Sequence, residues 1–166
     1  MENMSGSPLD DERLTAVGLF FEAHDGLIRR LSSQLREHGL PQGEFEALLR
    51  LARTPGQRLR MSDLADQLRL STSGLTRLVD RLEGRGLLTR EACPSDRRGF
   101  FAVITPAGHT LVDDAVQGHL VLVEQWFTGL LEPAELDALT AALRKIRDVV
   151  HPDAAAGADT ALDATR

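Results

Sequence analysis

A single cysteine, Cys93, rules out an internal disulfide framework and suits a reducing compartment. No apolar run approaches the ~18 residues needed to span a bilayer. The acidic opening, MENMSGSPLDDER, lacks the apolar centre of a secretory signal. A cytoplasmic chain with no membrane partner is therefore expected. No G-x-S-x-G, P-loop or H-E-x-x-H occurs, and no acid–base or nucleophile constellation converges, so an enzyme is not expected. The five histidines, at 24, 38, 109, 119 and 151, never fall three to five residues apart and have no cysteine beside them. No metal site and no cofactor are expected. Lysine is nearly missing as well: of 19 basic residues only Lys145 is not an arginine.

What remains is an ordinary soluble composition, 42% hydrophobic and 27% charged over 166 residues, enough for one domain with a sizeable core. The net charge of −6 argues at first against a polyanionic partner. Its distribution argues otherwise. Residues 1–40 carry 4 basic and 7 acidic groups, residues 41–108 carry 11 and 8, and residues 109–166 carry 4 and 10. Salt screens charges beyond ~8 Å at physiological ionic strength. A basic centre can therefore attract phosphate inside an acidic chain.

Hydrophobic spacing divides the chain further. Residues 1–9 are polar and are expected to be disordered. From 10 to 38, Leu14, Val17, Phe21, His24, Ile28, Leu31 and Leu35 recur at three and four, a heptad-like stripe. A helix of ~28 residues is ~42 Å long, too long to bury that stripe against one small domain, so a second chain is the simplest use for it. Gly39 and Pro41 stop it. Residues 42–53 form a second helix, Leu59-Arg60-Met61 a very short strand, and Ser62 the cap of a third helix. Residues 107–131 and 133–150 read as two more helices. The Ala- and Asp-rich segment 152–166 reads as a flexible tail.

The block Met61–Gly108 carries the chemistry. Ser71 caps a helix over Thr72–Gly84. Leu75, Leu78, Val79 and Leu82 form its buried face, and Ser73, Arg77 and Asp80 point the other way, flanked by Thr76 and Arg81. Small hydroxyls, a cation and an acid suit base edges and phosphates, and free N–H groups at a helix start suit phosphate. A hairpin follows, with strands over 87–92 and 100–104 and Asp96-Arg97-Arg98-Gly99 at its tip. The plainer alternative pairs Arg77 and Arg81 with Asp80 and Glu83 as solvated surface charge.

The run LADQL, STSGLTRLVDRLEGRGLLTR, SDRRG and ITPAG resembles the multiple-antibiotic-resistance regulator (MarR) family of bacterial transcription factors over roughly residues 12–150. The resemblance implies a mainly α fold with a small β wing. A winged helix-turn-helix (41–106) would be flanked by dimerisation helices from both termini (10–38 and 107–150). It implies a homodimeric regulator, a repressor, on double-stranded DNA with half-sites ~34 Å apart or a multiple of that. Ser71, Thr72, Ser73, Thr76, Arg77 and Arg81 would meet DNA from the recognition helix. Arg98 would enter the minor groove, with Arg97 on phosphate and Asp96 positioning the arginines. The family's effector pocket lies between the winged unit and the long helices, which makes Phe21, His24, Phe45 and Trp126 candidates for a small aromatic or anionic effector. Two alternatives stay open: a redox- or metal-responsive regulator of the same fold, and an interaction module that has lost DNA binding. Cys93 lies before the wing turn in a chain without tyrosine, unlike the reactive thiols of redox-sensing relatives, and is expected to be inert.

Overall fold

The computed structural model describes residues 7–93 and 96–155, with the backbone alone at 96–98 and 155. Along it run α1 (Glu12–Glu37), α2 (Gln42–Arg53), β1 (Arg58–Arg60), α3 (Met61–Leu68), α4 (Thr72–Gly84), β2 (Leu88–Cys93), β3 (Asp96–Ile104), α5 (Pro106–Trp126) and α6 (Pro133–Val150). The expected class, mainly helical with a small β wing, is the one observed.

The core lies where α2, α3, α4 and the sheet meet the C-terminal end of α1 and the first half of α5. Leu35, Leu48, Leu51, Leu64, Leu82 and Val112 are buried there. Each contributes about 1.5–3 kcal/mol by leaving water. The sheet is antiparallel in the order β1-β3-β2. Leu59 opposes Ala102 and Leu88 opposes Ile104, so all four side chains turn inward. A bulge at Ala92/Cys93 bends the far end of the hairpin, and Cys93 is 4% exposed.

Helices α1 and α4 end alike. Gly39 and Gly86 take φ of 65° and 70°, and the next residue, Leu40 or Leu87, donates its N–H back to Leu35 or Leu82. The left-handed position after a helix favours glycine because no Cβ is present to clash. The stripe on α1 is buried only gradually. Leu14, Val17, Phe21 and His24 are exposed, Ile28 and Leu31 are half-buried, and of 26 residues Leu35 alone is fully buried.

Four expectations are corrected. Ser62 is not a cap: α3 begins at Met61 after Arg60, and the Ser62 hydroxyl donates to Asp63 instead. The fifth helix stops at Trp126, not Leu131. Phe127 leaves helical geometry at φ −142°, ψ −76°, and a 3-10 turn follows at Thr128–Leu130. The returning wing strand starts at Asp96 rather than Phe100. At the two ends, Pro8–Asp10 forms a 3-10 turn under a Ser7 cap, and Pro152–Ala155 forms another that packs on α3, where disorder and a flexible tail were expected. Residues 1–6 and 156–166 of those segments lie outside the described residues.

Candidate nucleic-acid interface

The recognition surface starts from how α4 begins. Ser71 stays extended, at φ −63° and ψ 157°, and its Oγ accepts the Gly74 N–H at 3.1 Å. The N–H groups of Thr72 and Ser73 precede the first intrahelical donor, Leu75, and remain available to an anion. Ser71 and Ser73 hydroxyls lie 3.2 Å apart, and Thr76 donates to the Thr72 carbonyl at 2.8 Å. Each hydroxyl is thus pre-oriented on an exposed face. Ser71→Ala removes the cap and is expected to cost about 1 kcal/mol of stability. Urea unfolding checks it, and an unchanged midpoint would refute the cap.

The charged residues of α4 divide sharply. Arg77 is exposed and makes no side-chain hydrogen bond or ion pair among the described residues. Arg81, expected on the same reading face, is held from behind. Its Nε meets Glu44 Oε1 at 2.9 Å and its Nη1 meets the Arg77 carbonyl at 3.2 Å. Arg85 Nη1 reaches the other oxygen of Glu44 at 2.7 Å. The Glu44 side chain is only 5% exposed, so a buried carboxylate on α2 is neutralised by two arginines of the α4 end. Such a carboxylate is costly unless paired and hydrogen-bonded. Arg81 is therefore first a strut between α4 and α2.

Asp80 and Glu83 do not pair with Arg77 or Arg81 either. Both are taken by Arg90 on β2, at 2.5 Å for Asp80 and in a closer contact for Glu83, and the Glu83 carboxylate also accepts the Arg90 N–H. Arg90 thereby ties the base of the wing to the recognition helix. Sequence reading passed over it. The available signal was its place two residues after Leu88, on the same face of the strand.

Thr72, Thr76, Asp80, Arg90, Gly99 and Phe100 border a cleft of about 590 Å³ between α4 and the wing. On the sheet, Arg58 and Arg60 lie over the Phe101 ring at 4.9 and 5.8 Å. Asp96, Arg97 and Arg98 occupy the start of β3, and their side chains lie outside the described residues.

The four effector candidates fall in different surroundings. Phe21 is 58% exposed. His24 is exposed, beside Asp25 and against Phe20. Phe45 is a core residue whose ring meets His119 at 4.9 Å. Trp126 lies under the Arg30 guanidinium, 3.8 Å away, at the edge of a cavity of about 350 Å³ shared with Leu27, Phe127 and Leu139. His119 and Gln34 were missed. His119 Nδ1 and Gln34 Oε1 are buried without a hydrogen-bond partner, while Gln34 Nε2 donates to the Ala115 carbonyl at 3.1 Å. Burial pushes the His119 imidazole below its ordinary value, which favours its neutral form. Among the described residues no group of three or more His, Cys, Asp or Glu is placed to hold a metal ion. No helix among them is long and apolar enough to cross a membrane.

Comparison with known proteins bears on the same surface. A profile described as MarR family matches residues 38–99. The chain is 31% identical over 124 residues to the HTH-type transcriptional regulator MhqR of Bacillus subtilis, covering 75% of this chain and 83% of that one. Its fold is similar to AbsC, a MarR family transcriptional regulator from Streptomyces coelicolor, with a TM-score of 0.79, 34% identity and coverage of 87% and 98%. It is equally similar, at a TM-score of 0.79 and 32% identity, to Sco3205 from the same organism, solved in complex with DNA, with coverage of 90% and 94%.

Proposed function

The chain belongs to the MarR family of transcription regulators, and from that premise we propose that it is a ligand-responsive repressor that binds a pseudo-palindromic operator as a homodimer. The observation that carries the reading is the exposed face of α4. Its capped start, its oriented hydroxyls and Arg77, which has no side-chain partner among the described residues, lie beside a wing that Arg90 holds to the same helix. On this reading Ser71, Thr72, Ser73, Thr76 and Arg77 meet the major groove, Arg98 enters the minor groove and Arg97 meets phosphate. Arg81 contributes mainly by orienting the helix.

Exposed apolar side chains on the long helices support the dimer. Leu14, Val17 and Phe21 on α1, Leu120 and Val121 on α5, and Ile146 and Val149 on α6 all stand open to solvent. Large apolar side chains left exposed on helices of this length fit a surface that another chain covers. The Trp126 cavity beneath Arg30 suits a small aromatic or anionic effector. Such a ligand acts only through its differential affinity for two arrangements of the dimer.

A gel shift with duplex DNA from the chain's own upstream region tests the reading. Binding is expected to fall steeply with salt. Arg98→Ala is expected to weaken it by about 1–3 kcal/mol. A wild-type chain that does not prefer its own upstream DNA, or an Arg98→Ala variant that binds normally, would sink it.

A further inference from the structure

The turn that follows α6 packs on α3 of the helix-turn-helix. His151 Nδ1 accepts from Arg69 Nε at 3.1 Å, and His151 Nε2, which must then carry the proton, donates to the Asp66 carbonyl at 2.9 Å. Three residues further on, the Ala154 carbonyl accepts Arg50 Nη1 at 2.9 Å, and the same nitrogen reaches Gln67 Oε1 at 3.3 Å. One end of the last long helix is thus hydrogen-bonded to the end of α3, to α2 and to the turn that leads into α4.

Arg69 is also the residue that turns the chain between α3 and α4. It sits at φ 53°, ψ 39°, and Leu70 donates its N–H back to Ala65. This is the ending that α1 and α4 make with glycine. A side chain in this region is strained, and such strain persists where surrounding structure requires that side chain. Here the guanidinium on the strained residue is the group that His151 holds.

We propose that Arg69 and His151 form a clasp that fixes the angle between the recognition helix and the long helices, and are positioning residues for DNA binding. Two recognition helices must match the spacing of two half-sites, so a looser angle weakens operator binding without touching a DNA contact. The inference rests on the DNA-binding reading above.

The test measures fluorescence anisotropy of the full chain on a labelled duplex from its upstream region. Wild type is compared with Arg69→Gly, His151→Ala, the double variant and His151→Gln, each with its melting temperature. The clasp predicts about tenfold weaker binding for each of the first two. The double variant should be no weaker than either, because both changes cut the same link. Arg69→Gly should melt no lower than wild type, since glycine accepts the left-handed turn, and it serves as the decisive variant should His151→Ala fail to fold. His151→Gln, whose amide offers a donor and an acceptor, should recover most of the affinity. Normal binding by His151→Ala overturns the clasp, as does an additive loss in the double variant, which would mean that Arg69 touches phosphate directly. Failure of the wild-type chain to bind any upstream duplex would instead count against the DNA-binding reading.

Discussion

Gly108→Ala is expected to destabilise the fold severely. A Cβ at position 108 would stand 2.0 Å from the Leu87 carbonyl oxygen and 2.9 Å from Ile104 Cγ1. Neither neighbour can yield cheaply. The Leu87 carbonyl already accepts the Thr105 N–H at 3.1 Å, and the Leu87 N–H closes the end of α4 on Leu82. Thr105 Oγ1 meanwhile donates to the Gly86 carbonyl at 2.7 Å and accepts the Gly108 N–H at 3.1 Å. The start of α5, the end of α4 and the return of β3 therefore meet at one point with no room for a methyl group. Alanine gains about 1 kcal/mol of helix propensity over glycine. Forcing backbones apart at this joint is expected to cost well over that, about 3 kcal/mol. Thermal and urea unfolding decide it. A Gly108→Ala variant that melts with the wild type would mean that the joint is not close-packed.

Arg77→Glu is expected to eliminate operator binding while leaving the fold intact. Arg77 has no partner in the protein among the described residues, so its replacement strands no buried group. A lost base or groove contact costs about 1–3 kcal/mol, and the new carboxylate adds repulsion against phosphate. The expected loss of affinity is above about 100-fold, with a melting temperature within a degree or two of wild type. Anisotropy titrations at several salt concentrations would detect it, and the salt slope should become shallower if Arg77 sits on a phosphate. Retained affinity would remove α4 from the DNA surface.

How far the chain could be read from sequence follows from the range of the forces involved. The buried face of α4 was legible because its leucines follow a local period, and the Ser71 cap because a hydroxyl before an apolar run serves a need of the adjoining turn. The stripe on α1 was legible for the same reason, and its exposed half matches the expectation of more apolar surface than one chain can cover. The Ser62 cap was misread because Arg60 already takes the extended geometry that starts α3, two residues earlier than the serine suggested. The partner of Arg81 could not be read at all. Glu44 lies 37 residues away, and no local pattern announces a carboxylate buried under α4. His119 was passed over as one of five scattered histidines because its loss of partners is a property of packing. The link from His151 to Asp66 spans 85 residues and joins segments that share no periodicity.

The buried carboxylate of Glu44 divides α4 into two parts with different freedom to change. At the exposed Ser73 and Arg77 a new side chain disturbs mainly what lies outside the protein, so operator preference can drift there by single substitutions. At Arg81 any such change leaves a carboxylate inside the molecule with one cation fewer, and the variant must survive that before selection can act on what it reads. Divergence of target sequence among descendants of this chain should accumulate in the first turns of the helix, while its last turn answers to the interior.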